Sequence, residues 1–236
     1  MIEEERKKFE DGQVLLFDKP LYWTSFDLVN KVRGMIRSYL EIKKIKVGHA
    51  GTLDPLASGL MIICTGKYTK RIEEFSNLDK EYISTFHLGE TTPSFDLETE
   101  TDRKYPTEHI TLEMVKRVLN GFLGEQQQVP PLYSAKFIDG KRAYEYARKG
   151  VDMKLEPVKV FFSEIELIDF SLPDVKVRMR CSKGTYIRSV ARDLGEALES
   201  GAYLSSLQRS SIGQYDIKEA WEVEKFRLFL QQMQQS

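Results

Sequence analysis

The sequence predicts an α+β fold, with a mixed, largely antiparallel central sheet flanked by helices. Runs rich in β-branched and aromatic residues read as strands, and separate stretches carry apolar stripes at helical spacing. No internal repeat orders the two kinds of element. A chain of 236 residues with 41% hydrophobic content supports a real core and fits one large domain or two small ones.

Val14–Phe17 reads as a short apolar strand ended by Asp18-Lys19-Pro20. Thr24, with Asp27 three residues on, matches a capping box, and Phe26, Val29, Val32 and Ile36 then recur at helical spacing. Leu60–Cys64 is a continuous apolar run, as in a buried strand. A short helix is expected over Thr69–Phe75, and Glu81–Leu88 has the composition of a strand. Residues 91–108 are polar, acidic and punctuated by Pro93 and Pro106, a loop longer than packing requires. Thr111 caps a helix whose stripe is Leu112, Val115 and Leu119.

From Gln126 onward Tyr133, Lys136, Lys141, Arg142, Tyr144 and Tyr146 interleave cations with aromatics. Such a pattern suits phosphate contact plus stacking on unpaired bases, and equally suits half-buried packing tyrosines. Strands follow at 158–170 and 175–181. Lys183–Arg188 opens a helix with Ile187, Val190, Ala191, Leu194 and Leu198 on one face. Arg188 falls in its first turn, where the helix dipole disfavours a cation, so either an anion lies nearby or the side chain is a lone surface charge. A last helix is expected over Trp221–Met233.

The net charge of −1 argues against a nucleic-acid partner only if charge is evenly spread. It is not: residues 31–47 hold six basic residues against Glu41 alone, and residues 175–192 hold six and no acid. Segregation of this kind either gives one positive face or is a pair of solvated faces. No apolar run reaches membrane-spanning length, and the charged start Met1–Lys8 lacks a signal-peptide hydrophobic region, so a cytoplasmic protein is expected. Cys64 and Cys181 have neither disulfide nor metal spacing, and His49, His87 and His109 are scattered. No metal and no cofactor site is expected.

One loop concentrates chemistry. Gly48-His49-Ala50-Gly51-Thr52-Leu53-Asp54-Pro55-Leu56-Ala57-Ser58-Gly59 holds three glycines, a histidine and a single carboxylate. The glycines permit sharp turns or close approach, and Pro55 pushes Asp54 towards an extended conformation. Asp54 is either a reactive carboxylate on a stiff loop or the head of an Asx turn.

These motifs together resemble the TruB family of tRNA pseudouridine-55 synthases, from Leu15-Leu16-Phe17-Asp18-Lys19-Pro20 to about Arg209. Gly48–Pro55 is similar to the family's signature loop, with Asp54 at the place of its essential aspartate. Lys80-Glu81-Tyr82, Val129–Ala135 and Lys183–Arg188 resemble three further family blocks, and Leu207 matches a leucine lining the uracil pocket. The resemblance implies a pseudouridine synthase fold, with a catalytic domain over 1–209; the short strand and helix expected over 210–236 depart from the family's bacterial members, which usually continue into a PUA domain, and no PUA domain is expected here. The implied reaction is isomerisation of uridine 55 in the T-loop of tRNA, with base flipping and no cofactor. Asp54 would be nucleophile or base, and Arg188 would hold its carboxylate. Tyr82 would stack on the uracil, Tyr186 and Leu207 would complete the pocket, His49 would fill the vacated space, and Lys19 would position the RNA backbone. The expected partner is the T-arm of tRNA, bound by a monomer with no membrane and no obligate protein partner. Thr92-Pro93-Ser94-Phe95-Asp96 departs from the family's Thr-x-Thr-x-Asp pattern. The competing reading is a non-catalytic protein that binds or folds the T-arm, and a second is a guide-RNA-dependent relative.

Overall fold

Both halves of the capping box at Thr24 are formed: its hydroxyl accepts from the Asp27 N–H, and the Asp27 carboxylate accepts from the Thr24 N–H. The helix that it starts buries Leu28, Val29, Val32, Met35 and Ile36. Phe26 is not part of that stripe and stands 63% exposed. At 100° per residue it lies roughly 120° from the centre of the buried set, so spacing from Val29 alone placed it on the wrong face.

The structure, a computed structural model, describes residues 2–134, 137–138, 140–147, 149, 151, 153 and 155–235. Chain order begins α1 (Ile2–Asp11), β1 (Val14–Lys19), α2 (Ser25–Tyr39), β2 (Val47–Ala50) and β3 (Ala57–Thr65). A 3-10 turn at Gly66–Arg71 leads to α3 (Ile72–Ser76), β4 (Lys80–Leu88), β5 (Glu90–Thr91), β6 (Arg103–Lys104), α4 (Leu112–Gly121) and β7 (Gly124–Gln128). Then come β8 (Phe137–Ile138), β9 (Lys141–Arg142), α5 (Ala143–Ala147), β10 (Val158–Ser171), β11 (Asp174–Cys181) and α6 (Ile187–Ala197). The chain closes with β12 (Ala202–Ile212), β13 (Tyr215–Asp216), a 3-10 turn at Ile217–Glu219 and α7 (Val223–Gln235). The class is α+β, as the sequence predicts, and the sheet is mostly antiparallel.

Contacts divide the chain into one unit of Met1–Glu81 with Gln208–Ser236 and another of Tyr82–Leu207, the boundaries falling inside β4 and β12. In the first unit β3 pairs antiparallel with β1, Lys19 facing Gly59, and with β2, Val47 facing Thr65. Leu60–Cys64 is completely buried, the outcome expected of an apolar run without alternation. Leu60, Ile62 and Cys64 join Ala50, Phe75 and Ile212 in one cluster. The C-terminal stretch belongs to this core. Trp221 exchanges backbone bonds with Leu16 and Asp18, and Phe226 meets Phe17 edge-on at 5.0 Å.

In the second unit β10 and β11 form a long antiparallel hairpin, and β7 pairs along β10. Residues 80–88 alternate strictly between buried and half-buried, the period-two pattern of a strand with one face in the core. Thr111 caps α4, with Val115 and Leu119 buried, and α6 buries the stripe read from its sequence.

Two glycines in the first unit make opposite predictions. Gly59 has φ +113, and a Cβ there would lie 2.4 Å from the Arg209 carbonyl oxygen. Gly34, inside α2, has nothing within 4 Å of the same position. Gly59→Ala is expected to lose about 3 kcal/mol or more from strain and overlap, lowering the melting temperature by about 6 °C or more. Gly34→Ala should instead gain about 0.5–1 kcal/mol. Thermal melts of both variants check this, and a Gly59→Ala protein as stable as the parent would contradict the packing described.

Candidate active site

The first unit contains the Asp54 loop, which is fastened at several points. Ser25, in the first turn of α2, grips Leu53 reciprocally: its hydroxyl donates to the Leu53 carbonyl at 2.9 Å and accepts from the Leu53 N–H at 2.8 Å. The turn after Asp54 is closed by the backbone, the Ala57 N–H donating to the Asp54 carbonyl at 3.1 Å. Gly51 takes φ +91, a conformation that a side chain would resist. Asp54 itself is half-buried.

Two buried cations support this loop. Arg209 is 1% exposed, its Nε donating to the Leu60 carbonyl at 2.7 Å and its Nη2 to the Gly51 carbonyl at 3.1 Å. It therefore spans the loop from one side of Asp54 to the other. Lys19 is also fully buried, its ammonium donating to the carbonyls of Pro20 at 3.0 Å and Trp23 at 2.6 Å. Burial pulls the Lys19 pKa down to about 8, with the Asp54 charge opposing that fall and Arg209 adding to it. A lysine enclosed in this way is not at the surface for a phosphate to meet, which corrects the role expected of it. His49 is half-buried on β2, and among the described residues its buried Nδ1 has no hydrogen-bond partner. Burial lowers its pKa, so the ring is neutral at neutral pH.

The second unit holds Tyr82, Tyr186, Arg188 and Leu207. Tyr82 is 8% exposed on the core face of β4, and Leu207 is half-buried on β12. Tyr186, just before α6, is held by the Gln128 amide, which accepts from the Tyr186 N–H at 2.8 Å and donates to its carbonyl at 3.1 Å. Arg188 is not a lone surface charge. Its side chain is 6% exposed, its Nε lies 3.5 Å from an Asp96 carboxylate oxygen, and its Nη1 donates to the Tyr133 carbonyl at 2.8 Å. The anion inferred from its unfavourable helix position includes Asp96. The Thr92 and Ser94 hydroxyls both donate to the Asp96 carbonyl, so the 92–96 turn is organised as a holder for that carboxylate.

The basic clusters separate on inspection. On β11, Arg178 is paired with Glu166 at 2.6 Å and Arg180 lies 3.6 Å from Glu164, both acids on β10. Much of the second cluster is thus neutralised across its own hairpin. In the first cluster, Lys44 and Lys46 line an open cavity of about 300 Å³ together with Lys67, Lys70 and Glu10, Lys67 being paired with Asp11 at 2.7 Å. Of the interleaved stretch, Ala135 and Lys136 lie outside the described residues, as do the side chains of Lys141, Arg142 and Tyr144.

Arg209 and Asp96 are the site residues that sequence reasoning missed. Asp96 had a signal, since it ends the Thr92–Asp96 pattern. Arg209 had none, because its partners lie 149 and 158 positions away.

The model of the TruB family pseudouridylate synthases (N terminal domain) matches residues 37–187. A tRNA pseudouridine synthase B of Phocaeicola vulgatus is 58% identical over 226 residues, which cover 96% of both chains. One from Parabacteroides distasonis is 56% identical over 95% of both. Among solved structures, a chain of a crystallised Cbf5–Nop10–Gar1 complex superposes with a TM-score of 0.72 at 25% identity. The match covers 99% of the present chain and 59% of the other. A chain of an H/ACA RNP bound to a substrate RNA containing 2'-deoxyuridine gives 0.68 at 23% identity, and shares the fold over 96% of this chain and 55% of its own. With a family model spanning most of its length and near full-length relatives above half identity, the chain belongs to the TruB family of pseudouridylate synthases.

Proposed function

We propose that this protein isomerises uridine to pseudouridine at position 55 in the T-loop of tRNA, with Asp54 as its catalytic residue. The observation that carries the reading is the 58% identity across nearly the whole chain to a tRNA pseudouridine synthase B, joined to a carboxylate held on a braced loop. The reaction breaks the N1–C1' bond, turns the uracil and joins C5 to C1', with a proton lost from C5 and one gained at N1, so the atoms and the oxidation level are unchanged. An ionised carboxylate is able to serve it as nucleophile or as base towards the sugar. Arg188 counts among the substrate-binding residues, its guanidinium fixed by Asp96 and the Tyr133 carbonyl. Tyr82 stacks on the uracil, and Tyr186 and Leu207 complete its pocket. Lys19 acts through the turn that its ammonium braces.

The target base is stacked within the T-loop and must be extruded at a cost of a few kcal/mol. His49, neutral and with an unpartnered ring nitrogen, is suited to enter the space left behind. The lysines around the 300 Å³ cavity supply phosphate contacts. The enzyme works as a cytoplasmic monomer without a protein partner.

Asp54→Asn is nearly isosteric and should abolish pseudouridine formation on unmodified tRNA while leaving folding and T-arm binding intact. Pseudouridine mapping after incubation with the purified variant tests this, and measurable turnover would sink the assignment. Contact with about four phosphates should give a slope near −3 for log K against log salt, and a salt-independent affinity would remove the lysines from the interface. His49→Ala should lose about tenfold or more on a folded T-arm, the equivalent of roughly 1.4 kcal/mol of stacking. A T-arm whose target uridine is already unstacked should lose much less. Equal losses on both substrates would leave His49 as a brace for the loop.

A further inference from the structure

Leu21 and Tyr22, in the passage from β1 to α2, and Phe26, in the first turn of α2, are 43%, 75% and 63% exposed. Tyr22 also has φ +67. The left-handed region is disfavoured for a bulky side chain, and a turn that only reverses the chain is better served by glycine or asparagine. Packing does not offset the strain, because most of the ring stands in solvent. The conformation is instead imposed from below. The Tyr22 N–H donates to the Pro55 carbonyl at 2.7 Å, and the buried Lys19 ammonium gathers the carbonyls of Pro20 and Trp23 on either side. The ring is therefore displayed from a rigid turn tied to the residue that follows Asp54. A strained outlier that persists beside a reactive group points to function.

We propose that Tyr22, with Phe26 close by in the chain, is a stacking platform for an unpaired nucleobase adjoining the target uridine. The inference rests on the reading of Asp54 as the catalytic aspartate of an RNA isomerase. A nucleotide reacting at Asp54 has neighbours on its strand that must pass near Pro55, and any base offers a π face to an exposed ring whatever its identity. Leu21 and Tyr22 on the turn, with Phe26 in the first turn of α2, offer few apolar groups, which suits a single base better than a protein surface.

Tyr22→Gly removes the ring and also suits φ +67, so the substitution separates binding from folding. Its melting temperature should equal or exceed that of the parent by about 2–4 °C. With a T-arm stem-loop, KM should rise roughly tenfold, the loss falling mainly on KM, and Tyr22→Phe and Tyr22→Trp should restore it. In the Asp54→Asn background, 2-aminopurine placed beside the target uridine should be quenched on binding, and Tyr22→Gly should relieve that quenching. An unchanged KM in Tyr22→Gly, or the same loss in Tyr22→Phe, would overturn the proposal. So would unaltered RNA binding accompanied by altered self-association, which would make the patch a protein contact. If the parent protein forms no pseudouridine, the functional reading fails instead, and the fluorescence titration still reports whether a base stacks on Tyr22.

Discussion

A buried guanidinium organises the loop that carries Asp54. Enclosing a charge costs several kcal/mol unless its donors find acceptors, and Arg209 donates to the carbonyls of Leu60 and Gly51. Those carbonyls flank Asp54 in sequence, so the solvation of one cation is inseparable from the path of the loop. The close approach of Gly59 to the Arg209 backbone follows from the same arrangement, since a side chain at 59 would force the strands apart. Lys19 repeats the device with the carbonyls of Pro20 and Trp23. Two cations held by neutral acceptors leave positive charge near the loop's only carboxylate, and the upward pull of Asp54 on the Lys19 pKa expresses that attraction.

The second unit solves a related problem differently. A cation in the first turn of a helix works against the helix dipole, yet Arg188 is buried there. Asp96 supplies a counter-charge, and the turn that carries it is pinned by Thr92 and Ser94. The departure from Thr-x-Thr-x-Asp is thus mild in physical terms, because the serine hydroxyl at 94 makes a bond of the same kind. The amide of Gln128 plays the part of a neighbouring strand for Tyr186, donating and accepting as a backbone would.

What was legible in the sequence was local. The capping box at Thr24, the cap at Thr111 and the buried run of Leu60–Cys64 are each settled within a few residues, and each formed as expected. Phe26 failed because a helical stripe is defined by its centre, which one spacing does not locate. The basic run of β11 misled because hairpin register, invisible in the run itself, set Arg178 beside Glu166. The burial of Lys19 and the role of Arg209 depend on partners supplied by tertiary packing, which no short pattern encodes.

The distance between Arg209 and its acceptors along the chain also sets an order of events in synthesis. At about 5–20 residues per second, the ribosome needs on the order of ten seconds to travel from Leu60 to the arginine 149 positions later. Until then the carbonyls of Gly51 and Leu60 lack that donor, while the clasp of Ser25 on Leu53 needs only residues already made. The bracing of the Asp54 loop is therefore completed only when its distant arginine joins it, well after the local clasp has become available.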